Sequence, residues 1–283
     1  MKSIRSIKFI TILGAIIFAL ILIKLFSDKN LNEIGLYSLS RFKNISGNSV
    51  PFDQLRSSET STFVSHDLWD QLLKSHVSSD GKVNYVGFQN EKEKLKIYLD
   101  QLSRNPPDQN YKSKDNLAYW INVYNAFTIQ LIIENYPLQS IKELGGSFTM
   151  INSPWDKKFF EIGGVQFDLN TIEHEILRKK FKEPKIHFAI NCASISCPNL
   201  RNEAYTAERL EEQLTDQTKI FLADPTKNLL STEVIKISPI FSWFRSDFEQ
   251  DQSLIEFINM HSTSKIKNDA LIKWMEYDWD LNE

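Results

Sequence analysis

Fifteen consecutive residues near the start of the chain, Phe9 to Ile23, are apolar or small, with Lys2, Arg5 and Lys8 ahead of them and Lys24 behind. This run splits the chain into two objects. Cations ahead of an apolar segment hold the N-terminus in the cytoplasm and send the downstream chain across the membrane. The run is shorter than the ~20 residues of a full span, but Lys24 can snorkel to the interface. No A-x-A-like cleavage site lies near Leu25–Asn30, and no early cysteine could accept lipid. Residues 1–27 are read as an uncleaved membrane anchor, with a cleaved signal as the alternative. Both place the remainder outside the cytoplasm. The expected location is the cell membrane, single-pass, with the N-terminus cytoplasmic and the domain on the periplasmic side.

The chain carries −3 overall, and residues 1–29 hold five cations (Lys2, Arg5, Lys8, Lys24, Lys29) against Asp28, or +4. The remainder therefore carries −7. An acidic body gives no electrostatic reason to bind nucleic acid or to lie on anionic lipid. Two cysteines among 283 residues cannot build a disulfide scaffold, and the 24% charged and 42% hydrophobic content exclude a disordered chain. Residues 28–62 are polar and Ser/Asn-rich and read as a linker. One domain is expected over 63–283.

Within that domain, helical spacing and stop signals predict helices over His66–Val77, Glu91–Arg104, Asp115–Asn135, Asn170–Phe181, Thr206–Leu222 and Leu254–His261. Gly163-Gly164 between Phe159–Ile162 and Val165–Leu169 signals a β-hairpin, and Leu229–Ser231 with Val234–Ile237 a second. Lys82–Val86 and Lys185–Ile190 read as strands. The fold class is α+β: a helix-rich N-terminal half with a small, mainly antiparallel sheet.

Chemistry concentrates where Lys185–Ile190 runs into Asn191-Cys192-Ala193-Ser194-Ile195-Ser196-Cys197-Pro198. A thiol in a small-residue turn is reachable, and free backbone N–H groups there would lower its pKa and supply oxyanion donors. The other readings are a buried cysteine acting as a small hydrophobe, or a Cys192–Cys197 disulfide. A thiol nucleophile needs a base, usually histidine. His174 lies in the first turn of its helix with Glu173 beside it, although Asn170 and Glu173 also fit an N-cap and its N3 partner. His187 lies on the expected strand, sharing a face with Ala189 and Asn191. His66, His76 and His261 read as surface residues. Spacings of 13, 5 and 5 among His174, His187, Cys192 and Cys197 match no zinc pattern, so no metal is expected. Asn122 and Asn125 share a face of the long helix and must find partners if buried. Trp243, Asp247 and Tyr277-Asp278-Trp279 form aromatic–acidic clusters suited to packing the chain end or lining a cleft. Without GxxxxGK[ST], GxGxxG, GxSxG or HExxH, no nucleotide or other cofactor is called for.

Three segments together resemble a known family: Leu117-Ala-Tyr-Trp-Ile-Asn-Val-Tyr-Asn-Ala-Phe-Thr128, Ile172-Glu-His-Glu-Ile-Leu-Arg178 and His187-Phe-Ala-Ile-Asn-Cys-Ala-Ser-Ile-Ser-Cys-Pro198. With Ser238…Trp243…Asp247-Phe248 and the closing Tyr277-Asp-Trp-Asp-Leu-Asn282, the match in order over 63–283 is similar to the bacterial domain-of-unknown-function family 547. The resemblance implies a papain-like cysteine peptidase or amidase acting on a small peptide-like or γ-glutamyl substrate. It implies a nucleophile at Cys192, a histidine at His174 and an acid at Glu173, with His187 and Cys197 as secondary candidates. Histidine precedes cysteine here, the reverse of papain, so a circular permutation of that fold is required.

The expected mechanism has His174 take the Cys192 proton, the thiolate attack an amide carbonyl and a thioester form. N–H groups around Cys192–Ser194, with Asn122 or Asn191, would stabilise the oxyanion, and Asn125 would support the site. The alternative is a non-catalytic envelope binding or scaffold domain closed by a Cys192–Cys197 disulfide.

Overall fold

A computed structural model describes residues 63–108, 111–145 and 153–283. The apolar run Phe9–Ile23 and the linker over 28–62 lie outside the described residues. Among the described residues no helix is long and apolar enough to cross a membrane.

The core is organised around one helix. Helices α1 (Asp67–His76), α2 (Tyr85–Asn90) and α3 (Lys92–Arg104) precede α4 (Ser113–Ile133). The sequence marks Trp120, Tyr124, Phe127 and Leu131 as its core stripe, and all four are buried. So are Ala118, Tyr119, Ile121, Val123 and Ile129 on its other sides. A helix apolar all round belongs in an interior, and α4 runs through the middle, packed by α2, α3 and the 171–177 helix. Its two amides, Asn122 and Asn125, are buried with it.

Strands β1 (Phe160–Ile162) and β2 (Val165–Phe167) form the expected antiparallel hairpin. Gly163 and Gly164 take φ of 59° and 82°, the left-handed pair that a tight two-residue hairpin turn requires. The helix expected over Asn170–Phe181 is wound as a π-helix over Thr171–Leu177 and as α5 over Arg178–Phe181. Its start corrects the sequence reading. Asn170 is itself helical and bonds Asp156 with its side chain, while Asp168 Oδ1 accepts from Thr171 N at 2.6 Å and does the capping.

Lys185–Ile190 is not a strand. Pro184–Phe188 forms a 3₁₀ turn, with Pro184 at its start and the Glu183 carboxylate accepting from Lys185 N. Every residue from Lys185 to Ile190 is buried, so there is no solvent face for the alternation a half-buried strand needs. His187 therefore shares no strand face with Ala189 and Asn191. Lys82–Val86 likewise yields only a bridge, Val77 to Val83, before α2 begins.

Helix α6 (Leu210–Ala223) is followed by β3 (Leu229–Leu230), β4 (Val234–Ile237), the short α7 (Ile240–Trp243) and α8 (Arg245–Phe248), α9 (Leu254–His261) and β5 (Leu271–Trp274). β3 pairs antiparallel with β4, as expected, but β5 adds in parallel on the other side. Phe188, Phe221, Phe241, Phe248 and Phe257 pack ring on ring and fill this half. Among the described residues the fold is α+β and helix-rich, with two small sheets in place of one.

Candidate functional site

The cysteine turn hangs from α4. Asn125 Nδ2 donates to Ala189 O and its Oδ1 accepts from Asn191 N, each at 2.9 Å. Asn191 spans the base of the turn: Nδ2 donates to Pro198 O at 2.7 Å and Oδ1 accepts from Ala193 N at 2.9 Å. Asn122 is committed elsewhere. Both ends of its amide bond the backbone of Tyr205, at 2.8 and 3.1 Å. It braces the core, with its carbonyl and one of its two amide N–H groups spent on Tyr205. Ala193 holds φ +65°, a left-handed conformation costly for a residue with a Cβ. That kink turns the chain so that Cys192 and Cys197 face one another.

Their Sγ atoms lie 2.9 Å apart, and both are free thiols. Cys197 is buried and Cys192 half-buried. Cys192 N also donates to Cys197 Sγ at 2.9 Å. Cys192 Sγ meets Ser194 Oγ at 3.2 Å and Tyr277 Oη at 3.4 Å, and those two hydroxyls are 3.1 Å from each other. The Cys197 thiol hydrogen-bonds the Cys192 sulfur and, with help from Ser194 and Tyr277, overcomes burial to bring the Cys192 pKa down to about 7. Burial and the neighbouring Cys192 charge push Cys197 and Tyr277 well above their ordinary ranges, so both keep their protons. The arrangement is one thiolate held by three protonated neighbours.

The backbone N–H groups expected to line an oxyanion hole are already engaged. Cys192 N bonds Cys197 Sγ, Ala193 N bonds Asn191 Oδ1 and the backbone of Ser194 bonds the Cys192 sulfur. The donors beside the sulfur are the Ser194 and Tyr277 hydroxyls.

No imidazole is among the hydrogen-bond partners of Cys192 Sγ. The histidines assemble around Asp247 instead. Arg178 grips Asp247 with two bonds, Nε to Oδ2 at 2.5 Å and Nη2 to Oδ1 at 2.8 Å. His187 Nε2 lies 2.8 Å from Asp247 Oδ2, and His174 Nδ1 lies 2.9 Å from Arg178 Nη1. Burial raises the Asp247 pKa, but the bonds from Arg178 and His187 outweigh it and hold the carboxyl well below the usual carboxylate range. A guanidinium only donates. Nδ1 of His174 must therefore accept from Arg178, and neutral His174 carries its proton on Nε2. In that tautomer His174 presents a proton rather than a lone pair at Nε2, so it offers a hydrogen-bond donor there and not a base. Glu173, beside it, is buried.

The 243–247 segment links the two groups. Trp243 packs on Tyr277 with centroids 4.8 Å apart, Phe244 stacks on His187 at 3.9 Å, and Asp247 binds Arg178. Half-buried Trp279 and Trp155 continue the aromatic wall past Tyr277, and Lys142 Nζ sits 3.9 Å over the Trp279 ring. His174, His187, Cys192 and Cys197 do not converge as ligands: among the described residues no three His, Cys, Asp or Glu are placed to hold a metal. The other histidines are not the free surface residues their helices suggest. His66 bonds Tyr98 at 2.7 Å, with burial lowering its pKa to about 4, and His76 bonds Glu91 at 2.6 Å.

Sequence reasoning named both cysteines and both histidines but passed over Arg178, and it read Asp247 and Tyr277 only as parts of aromatic–acidic clusters that pack the chain end or line a cleft. Arg178 closes the Ile172–Arg178 motif and Tyr277 opens the C-terminal one, so their signal is membership of a motif and not spacing. The fold and site define an α+β domain built to present a hydrogen-bonded thiol pair. Residues 109–222 match the family model described as "Protein of unknown function, DUF547". The matched span holds α4, the hairpin, His174, Arg178, His187 and both cysteines, while Asp247 and Tyr277 lie beyond it. No curated protein and no solved structure matches the chain. The papain-like relationship expected from the sequence gains no support from these comparisons.

Proposed function

We propose that the domain is a thiol hydrolase that cleaves an amide or peptide bond, of γ-glutamyl or similar small-peptide type, with Cys192 as nucleophile. The observation that carries this reading is the contact of Cys192 Sγ with Cys197 Sγ, Ser194 Oγ and Tyr277 Oη in a half-buried turn, which brings its pKa down to about 7. A thiolate is the nucleophilic form. One that exists near neutral pH needs no base to make it.

Cys192 S⁻ attacks the carbonyl carbon and the carbonyl oxygen takes the negative charge. Ser194 and Tyr277 donate to that oxygen. As the oxyanion collapses to a thioester, the leaving amine takes a proton from Tyr277, and the tyrosinate regains one from the water that hydrolyses the thioester. Glu173, His174 and Arg178 form the polar flank, and the Trp155–Trp279 wall offers a platform for an apolar portion of substrate. Water then hydrolyses the thioester. We place this chemistry outside the cytoplasm, tethered by the segment around Phe9–Ile23.

The test is iodoacetamide labelling of the reduced chain across a pH series, with site mapping, followed by an amidase screen. Labelling of Cys192 with a midpoint near 7 and turnover lost in Cys192→Ala support the reading; equal turnover in Cys192→Ala sinks it. The 2.9 Å sulfur separation favours one other reading, a non-catalytic envelope domain closed by a Cys192–Cys197 disulfide. In that case the freshly purified chain would label only after reduction.

A further inference from the structure

We infer that Cys192 and Cys197 form a two-electron oxidation site for hydroperoxides, with Cys192 the attacked sulfur and Cys197 the resolving thiol. The inference rests on the thiolate reading of Cys192 but not on any hydrolytic activity.

Three features of the turn carry it. The sulfurs lie 2.9 Å apart and need to close by only about 0.9 Å to reach a disulfide bond length. The backbone that sets this approach is pinned independently of the sulfurs, by Asn191 Nδ2 to Pro198 O at 2.7 Å and by Cys197 N to Ser194 O at 3.0 Å. A bond can therefore form and break without dismantling the turn. The two thiols are also unequal: Cys192 is half-buried and hydrogen-bonded by hydroxyls, while Cys197 is buried behind it. An oxidant from solvent meets Cys192 first.

The chemistry balances. The Cys192 thiolate attacks the distal oxygen of the hydroperoxide, the O–O bond breaks, and the alkoxide or hydroxide leaves with a proton from Tyr277 or water. Cys192 is now a sulfenic acid, two electrons oxidised. Cys197 sulfur attacks the sulfenic sulfur, the S–O bond breaks and water departs with the Cys197 proton, forming the disulfide. One hydroperoxide is reduced to alcohol or water for two thiols oxidised. A dithiol reductant restores the pair by thiol–disulfide exchange. The disulfide removes the nucleophile that hydrolysis requires. It also protects Cys192 from the irreversible sulfinic and sulfonic states.

The test uses the reduced full chain with one equivalent of hydrogen peroxide, a maleimide quench in denaturant, which exposes both thiols, and peptide mapping. The expected result is loss of both maleimide sites together, a Cys192–Cys197 cross-linked peptide and full recovery with dithiothreitol. In Cys197→Ala, confirmed folded by circular dichroism, the cross-link is lost and a dimedone adduct accumulates on Cys192. In Cys192→Ser, Cys197 stays alkylatable after peroxide. Retention of both sites in the wild type, or over-oxidation of Cys192 at equal rates with and without Cys197, overturns the inference. Rapid amide turnover with no cross-link leaves the hydrolase reading standing and removes this one. A cross-link with no turnover on any amide does the reverse.

Discussion

The side chain of Asn125 on α4 holds Asn191, 66 residues further on, by accepting its backbone N–H at 2.9 Å while donating to Ala189 O. The long central helix thus sets the height and direction of the cysteine turn, and the residue before the nucleophile is bolted to the core. Replacing Asn125 by Ala leaves a buried N–H and a buried C=O unpaired, at a cost of about 2–4 kcal/mol. Urea unfolding should show that loss, and Cys192 labelling should lose its midpoint near 7. Unchanged stability would mean that the turn holds its shape without α4.

The thiolate's partners set a second expectation. Cys197→Ala and Tyr277→Phe each remove a proton donor from the Cys192 sulfur. The midpoint of its alkylation profile should rise from about 7 toward the ordinary thiol value of about 8.5. The groups that face this sulfur are Cys197, Ser194 and Tyr277, with Tyr85 also close enough to feel its charge. His174→Ala should leave the midpoint in place while slowing turnover. A midpoint that moves with His174 and not with Cys197 would restore the imidazole as the activating group.

Asp247 gives a pH-dependent prediction. Its folded pKa lies below its unfolded value. The stability it contributes is therefore present above the unfolded pKa of about 3.9 and is lost as pH falls below it. Its partial exposure reduces the effect. Asp247→Asn should cost about 2–3 kcal/mol at pH 7, less than a fully buried pair would. The gap between wild-type and variant unfolding curves should begin to narrow near about pH 4 and go on narrowing as pH falls toward the depressed folded pKa. A constant gap down to pH 3 would show that Arg178 and His187 do not discriminate the charge.

The last residues close the turn. Ile195 N donates to Asp280 O at 2.8 Å, Ser196 N to Asp278 O at 3.2 Å, and Tyr85 Oη to Asn282 Oδ1 at 2.6 Å. Leu281 is buried among the core residues. Deleting 280–283 should cost about 2–4 kcal/mol from lost burial and hydrogen bonds. It should also speed alkylation of Cys197, which the turn otherwise shields. Thermal unfolding and thiol mapping of the truncated chain check both.

Much of the scaffold was legible in the residues. Leu254–His261 and the Gly163-Gly164 hairpin are local structures whose periodicity or turn chemistry specifies them without outside help. The strand expected at Lys185–Ile190 failed although its side chains alternate in the sequence, because packing buries every one of them and the chain turns from Pro184 as a 3₁₀ helix. The Asn170–Glu173 cap failed because the helix already includes Asn170, and Asp168, two residues earlier, caps it by accepting from Thr171 N. The cysteines stood out by type, but Arg178, Asp247 and Tyr277 did not, since each acts on a residue from another part of the chain.

The sequence by itself determined the inventory: an apolar N-terminal run, an acidic α+β body, a central apolar helix carrying two amides, and two thiols in a small-residue turn. Those come from composition and short-range pattern, which act over a few residues. Tertiary structure decided which groups meet. It set Cys192 against Cys197 and Tyr277 and drew His174 and His187 to Arg178 and Asp247. A proton's preference depends on what lies within about 3–4 Å of it. That distance is set by packing between segments 60 to 90 residues apart.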